Sequence, residues 1–247
     1  MPRKRRVKSE IDIYHVVLRG INQQVIFEDD EDFEKLLQTI SYIKTLSGLE
    51  LFAYCIMKNH CHFLIKVGSE GLDQIFRRFG PRYVRWYNTK YKRVGHLFQN
   101  RFWSEAIKND RHFFAVLRYI HQNPIKAGMC SISSAYQWSS YNEYVDVNRI
   151  VDVDYVLGLT SVDEFISLHN IESSDKFLDN DETRYHLTDA EARNIIKQIC
   201  NCNSVSEFQN LSPLSQKLYV QRIKGVGVSI RQTSRLTGVS KGIIERI

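Results

Sequence analysis

Few stretches of this chain place chemically able side chains close together, and the first is the pair His60 and His62. They lie in Tyr54-Cys55-Ile56-Met57-Lys58-Asn59-His60-Cys61-His62-Phe63-Leu64-Ile65-Lys66-Val67. Apolar, β-branched and aromatic residues dominate here, which predicts two adjoining strands with a break near Lys58-Asn59. Strand side chains alternate faces, so both imidazoles point one way and Cys61 points the other. Two imidazoles on a rigid strand could hold one divalent ion. They could equally pack or hydrogen-bond beneath a loop.

A later helix could supply what a metal site still needs. Tyr119 and Asn123 are four residues apart, so on a helix they share one face. If that helix lies across the sheet face carrying His60 and His62, two imidazoles and the Asn123 amide oxygen could hold Mg²⁺ or Mn²⁺. The ion would act as a Lewis acid on a phosphate, and Tyr119 would be the nucleophile. A free phenol has a pKa of about 10, so it needs help to ionise; the ion, Arg118 and Lys126 are candidates. The bland alternative for Tyr119 is a helix tyrosine with its ring in the core.

The elements that would position these groups are legible in order. Tyr14 to Leu18 reads as a strand closed by Arg19-Gly20, and Asp29 to Leu46 as a helix with acidic residues in its first turn and Gly48 as its stop. Strands Leu49 to Ile56 and His60 to Val67 follow. A helical stretch from Gly71 carries Leu72, Ile75, Phe76, Phe79, Tyr83 and Tyr87, with Gly80-Pro81 expected to kink or restart it. Between its apolar positions stand Arg77, Arg78, Arg82 and Arg85, then Lys92 and Arg93, a mixture that suits a nucleic-acid groove. Phe102 to Ile107 alternates like a strand. Asn109 or Asp110 would cap a last helix, ended by Asn123-Pro124. Strand, helix, strand, strand, helix, strand, helix resembles the split βαβ, ferredoxin-like α+β arrangement: an antiparallel sheet with covering helices.

Charge is distributed unevenly. Residues 1–140 hold 22 Lys/Arg against 13 Asp/Glu, residues 141–190 hold 3 against 12, and residues 215–247 hold 7 against 1. Two basic regions flanking an acidic one suggest two polyanion-binding surfaces and a spacer. The arm Arg3-Lys4-Arg5-Arg6 is expected to be mobile until it meets phosphate. No apolar run approaches the ~20 residues of a membrane span, and no secretory signal follows the basic start. Five cysteines, an odd number in a chain too long to need disulfides, favour a reducing cytoplasm. Cys200 and Cys202 read as structural.

At this point the chain resembles a known family, the REP-associated tyrosine transposases within the single-tyrosine HUH (IS200-like) transposases. Four blocks carry the resemblance: Tyr14 to Gly20, Ala53 to His62, Gly95 to Phe102 (which includes Arg101), and Leu117 to Met129, with Trp138-Ser139-Ser140-Tyr141 closing it. The resemblance implies a metal-dependent nuclease and strand transferase that cuts single-stranded DNA, often beside a hairpin, through a 5′-phosphotyrosine. It gives His60 and His62 the metal, Tyr119 the nucleophilic role and Asn123 the third ligand, with Gln122 as a substitute. Cys61 departs from the larger hydrophobic residue usual in the motif, but faces away from the metal.

The expected organisation is a nuclease domain over 1–141, an acidic, mostly helical spacer over 142–210, and a helix-turn-helix over 211–247. In the last, Ser234 would sit at the crossing and Gly238 at the turn, with Val239 and Ile244 in the shared core. Arg231, Arg235, Lys241 and Arg246 would face duplex DNA. The protein is expected to act as a monomer or homodimer, without a membrane. The alternative is a non-catalytic DNA- or RNA-binding regulator of the same fold.

Overall fold

Alternating apolar segments form four strands: β1 (Ile13–Arg19), β2 (Glu50–Met57), β3 (His60–Lys66) and β4 (Trp103–Ala106). The computed structural model describes residues 6–99, 101–146, 150–171, 177, 189–202 and 204–247. The sheet order is β2-β3-β1-β4, with every neighbouring pair antiparallel. Its register sets His62 between Val17 and Cys55, and His60 between Arg19 and Met57. His15 stands between Leu64 and Glu105. Directly paired residues share a face, so His15, Arg19, His60, His62 and Glu105 all project from one side of the sheet.

The opposite side, carrying Phe63, is covered by α1 (Asp30–Ser47) and α2 (Leu72–Lys90). Asp29 caps α1 in a reciprocal box with Asp32, and Gly48 ends it at φ 64°, a conformation that favours glycine. The Phe79 ring of α2 meets Phe63 at 5.8 Å. Gly80-Pro81 does not restart the helix, which runs unbroken across them. Pro81 is exposed, and Gly80 lacks the Cβ that a following proline ring would strike. Buried Phe76, Phe79, Tyr83 and Tyr87 hold both halves to the sheet.

The histidine side is covered by α3 (Asp110–Lys126), capped by Asn109 Oδ1 accepting from the His112 amide. Its end is not Asn123-Pro124, as the sequence predicts. The helix passes through Pro124 and closes at Gly128 (φ 68°), where the Met129 amide donates to the Pro124 carbonyl at 2.9 Å. A proline removes only its own amide from the ladder, and so near the end the remaining bonds carry the turn.

Residues beyond 126 seal the β2 edge, which would otherwise expose unpaired backbone groups. The Ile56 amide donates to the Trp138 carbonyl (2.9 Å), the Tyr54 amide to Ser140 Oγ (2.9 Å) and the Leu51 amide to Asp152 Oδ2 (2.7 Å). Glu143 accepts from the Tyr54 hydroxyl and from the amides of Ile150 and Val151. Two short helices follow, α4 (Val153–Leu157) and α5 (Val162–His169), and bury Val156 and Phe165 in the same core. The chain divides into a first unit, Met1–Ile21 with Val25–Asp181, and a second, Asn22–Gln24 with Glu182–Ile247. The early acidic segment is built into the first unit, because Glu143 and Asp152 satisfy backbone donors there.

The second unit contains α6 (Asp189–Cys200), α7 (Val205–Gln209), α8 (Pro213–Gly225), α9 (Ile230–Thr237) and α10 (Lys241–Arg246). Ala192, Ile196, Phe208, Val220, Ile223 and Ile244 form its core. Gly238 turns the chain between α9 and α10 at φ 73°. Thr233 and Thr237, rather than Ser234, are the small residues fully buried on α9. Cys200 and Cys202 are buried free thiols.

Candidate active site

Sheet pairing adds a third imidazole to the two in the strand motif. His15 Nε2 lies 3.0 Å from His62 Nδ1, and the two rings stack at 5.2 Å and 17°. His15 Nδ1 in turn faces the Glu105 carboxylate at 4.0 Å, longer than a hydrogen bond but close enough to favour a proton on that nitrogen. His15 Nε2 then accepts from His62 Nδ1–H, which leaves Nε2 of His62 as its lone-pair nitrogen. His60 reaches the same state separately, with Nδ1 2.6 Å from Asn59 Oδ1. Burial holds His60 at about 3 and His62 well below the usual imidazole range, helped by the Arg19 charge. Both rings are therefore neutral, with the tautomer that leaves Nε2 unprotonated selected by their partners.

Tyr119 is placed by α3 against this cluster. Its ring stands edge-on to His62 at 5.9 Å and to His15 at 6.0 Å. Lys126, two turns later, sets Nζ 4.7 Å from the same ring. Tyr119 is 4% exposed, and Phe177 lies against it at 5.0 Å, so a phosphodiester reaches the hydroxyl only if this cover gives way. Burial pushes the phenol up to about 12, while the Asn123 side chain and Arg19 pull it down.

Asn123 shares the Tyr119 face as its spacing requires. Its Nδ2 donates to the Tyr119 carbonyl at 2.9 Å, which assigns the other side-chain atom, Oδ1, as an acceptor. Gln122 is turned elsewhere: its Nε2 donates to the carbonyls of His169 (2.8 Å) and Ile171 (2.9 Å). Of the cations expected to assist the phenol, Lys126 is at the ring, whereas Arg118 acts on His169. Arg19 takes the role expected of Arg118. Among the described residues there is no group of three or more His, Cys, Asp or Glu that could hold a metal ion.

Arg77, Arg78, Arg82 and Arg85 belong to α2, on the far side of the sheet, where Arg82 stacks over Tyr42 of α1 at 3.9 Å. Arg78 pairs with Glu70, and Arg93 sits 5.5 Å from the Tyr87 ring, with exposed Lys92 beside it. Arg6 is tied to Asp73 and covers the Phe102 ring at 3.8 Å, so the described part of the arm is anchored. Arg3, Lys4 and Arg5 lie outside the described residues. Arg101 is exposed, 3.7 Å from Asp73. In the second unit Arg231, Lys241 and Arg246 are exposed and Arg235 pairs with Asp189.

Residues 10–123 match the family model described as "Transposase IS200 like". The chain is 30% identical over 108 residues to a REP-associated tyrosine transposase of Haemophilus influenzae, covering 39% of this chain and 61% of that protein. It is 24% identical over 159 residues to a REP-associated tyrosine transposase of Escherichia coli K12, covering 64% of this chain and 92% of that protein. A solved structure of a REP-associated tyrosine transposase bound to a REP hairpin shares its fold, with a TM-score of 0.53 at 18% identity, over 72% of this chain and 96% of that one.

The transposase-like stretch contains His60, His62, Tyr119 and Asn123, and also His15, Arg19 and Glu105, which sequence reasoning did not assign to the site. The signal for these three was the β1–β3 and β1–β4 register, which the strand pattern alone does not supply. Among the described residues no helix is long and apolar enough to cross a membrane.

Proposed function

We propose that this chain is a metal-dependent single-strand DNA endonuclease and strand transferase acting beside a hairpin, through a covalent 5′-phosphotyrosine on Tyr119. The observation that carries this reading is the Tyr119 ring edge-on to His62 on the sheet face that also holds His60. Nε2 of His60, Nε2 of His62 and Oδ1 of Asn123 would hold the ion. These three fit the group because their hydrogen-bond partners leave each of those atoms as an acceptor. Bound Mg²⁺ or Mn²⁺ would supply Lewis-acid polarisation of the scissile phosphate.

The protein's own groups account for the rest. The Tyr119 oxygen attacks phosphorus as the bond to the 3′-oxygen breaks, and the proton lost by the phenol balances the one gained by the departing 3′-hydroxyl. Asn123 and Arg19 favour the charged phenol oxygen against burial. The bond energy stays in the phosphotyrosine for rejoining to another strand.

The strand order and the βαββαβ succession support a ferredoxin-like classification of the sheet. In the second unit α9, the Gly238 turn and α10, with Ile244 buried, support a helix-turn-helix presenting Lys241 and Arg246 to duplex DNA. A solved REP-associated tyrosine transposase that shares the fold is bound to a REP hairpin, which supports a single-stranded hairpin as the substrate.

The test is incubation with a hairpin-bearing single strand and Mn²⁺, read as a covalent shift on a denaturing gel. Tyr119→Phe is expected to abolish the adduct and keep hairpin binding, and a chelator to abolish the adduct in the wild type. An adduct of undiminished yield from Tyr119→Phe would remove Tyr119 from the mechanism.

A further inference from the structure

The histidine face of the sheet continues past the imidazoles to β4, which is an edge strand. All four β4 residues are partly exposed, whereas β1 and β3 are buried except at their final residues. Trp103 opens β4 and pairs with Val17, and Val17 pairs with His62. The three form one row on one face, so Trp103 stands on the same side of the sheet as the site. Neighbouring strands are about 4.8 Å apart, and two spacings place the Trp103 backbone roughly 10 Å from that of His62.

The chain has three tryptophans, and two of them serve packing. Trp138 is buried with its ring stacked on Phe33 at 4.6 Å, and Trp86 lies 5.8 Å from the Tyr83 ring. Trp103 instead has the Arg19 guanidinium 6.0 Å from its ring centroid, at the outer limit of a cation–π contact. Arg19 shares this face and stands opposite His60. An indole plane and a cation at the rim of the imidazole cluster suit a single strand, because a base stacks on the ring and a phosphate is drawn to the charge. Glu105, two residues further along β4 on the same face, carries the opposite charge. A phosphate chain is repelled there, so it crosses the face at the Arg19 end, over Trp103.

We propose that Trp103 is a stacking platform for an unpaired base of the substrate strand, within a few nucleotides of the phosphate that Tyr119 attacks. The inference rests on the nuclease reading above and supplies a group that fixes the strand beside the cut. The occupant is single-stranded DNA: within a duplex each base face is already covered by its neighbours, so the ring takes a base that is unpaired and splayed out. Stacking tolerates every base, so Trp103 holds the strand in place and adds little sequence preference.

The experiment titrates the full-length protein, in EDTA so that no strand is cut, with a hairpin-bearing single strand and a series carrying a single abasic site each. Affinity and tryptophan fluorescence are read together for the wild type, Trp103→Phe and Trp103→Leu. In the wild type, an abasic site at one position beside the cut is expected to weaken binding about tenfold and to remove the quenching that the intact strand produces. Trp103→Phe should keep most of that penalty but lose the quenching. Trp103→Leu, which retains apolar bulk without a ring, should bind the intact strand about tenfold more weakly and show no further loss at that position. A flat scan in the wild type, quenching that persists in Trp103→Phe, or a Trp103→Leu scan that matches wild type would each overturn the proposal. The nuclease reading is judged apart, by the Mn²⁺-dependent adduct on Tyr119. An adduct with a flat scan keeps that reading and removes the platform, whereas a Trp103-dependent position without an adduct keeps the platform and removes the cut.

Discussion

Replacing His15 by Phe tests whether the imidazole behind His62 tunes the site or only fills space. The substitution keeps a flat ring stacked on His62 but removes the acceptor 3.0 Å from its Nδ1. A buried donor that loses its acceptor costs about 1–3 kcal/mol. That cost is carried by the empty and the loaded protein alike, so it appears as lost stability. Loss of a partner behind a metal-ligating histidine typically costs about 10–100-fold in metal affinity, through ring orientation and ligand basicity. Calorimetric titration of Mn²⁺ into His15→Phe should therefore give a Kd about 10–100-fold above wild type. His15→Gln, which can still offer an oxygen to Nδ1–H, should recover most of the loss. Glu105→Gln should cost less than about threefold, since its carboxylate stands 4.0 Å away, beyond a direct bond. An unchanged Kd for His15→Phe, with an unchanged thermal midpoint, would refute the reasoning.

Two further outcomes follow from the same structure. Burial keeps His60 at about 3 and lowers His15, His62, His121 and His169, so these rings stay neutral in the native state while unfolded histidines take up a proton near 6.5. Stability is then fully present above pH 6.5 and falls as pH drops toward 3, by up to about 1.4 kcal/mol per pH unit for each such histidine. Urea midpoints at pH 7.5, 6 and 5 should decline steeply, and a flat series would contradict this account of the histidines. Glu143→Ala strands the Tyr54 hydroxyl and the amides of Ile150 and Val151, and should cost roughly 3 kcal/mol or more. A urea midpoint within experimental error of wild type would mean that the acidic segment is not part of the first core.

The sequence by itself determined the local features. Alternation put His60 and His62 on one face and Cys61 on the other; helical spacing aligned Tyr119 with Asn123; Asp29, Asn109 and Gly48 marked helix ends that the structure keeps. Each depends on residues within a few positions of one another, where backbone geometry leaves little choice. Pro124 misled for the same local reason: a ring that ends an isolated helix is tolerated where a nearby terminus absorbs the lost bond.

Only the tertiary structure decided what stands beside what across the sheet. His15, Arg19 and Glu105 reach the histidine face because β1 pairs between β3 and β4, a choice that depends on register over tens of residues. The arginines of α2 were sent to the opposite side by Phe79 packing on Phe63, so charge counted along the chain did not predict charge around Tyr119. Gln122 sits beside Asn123 in sequence yet faces the end of α5, because successive helix positions are turned about 100° apart. Periodicity fixes which residues share a face of one element; which faces then meet is settled by burial summed over the whole core.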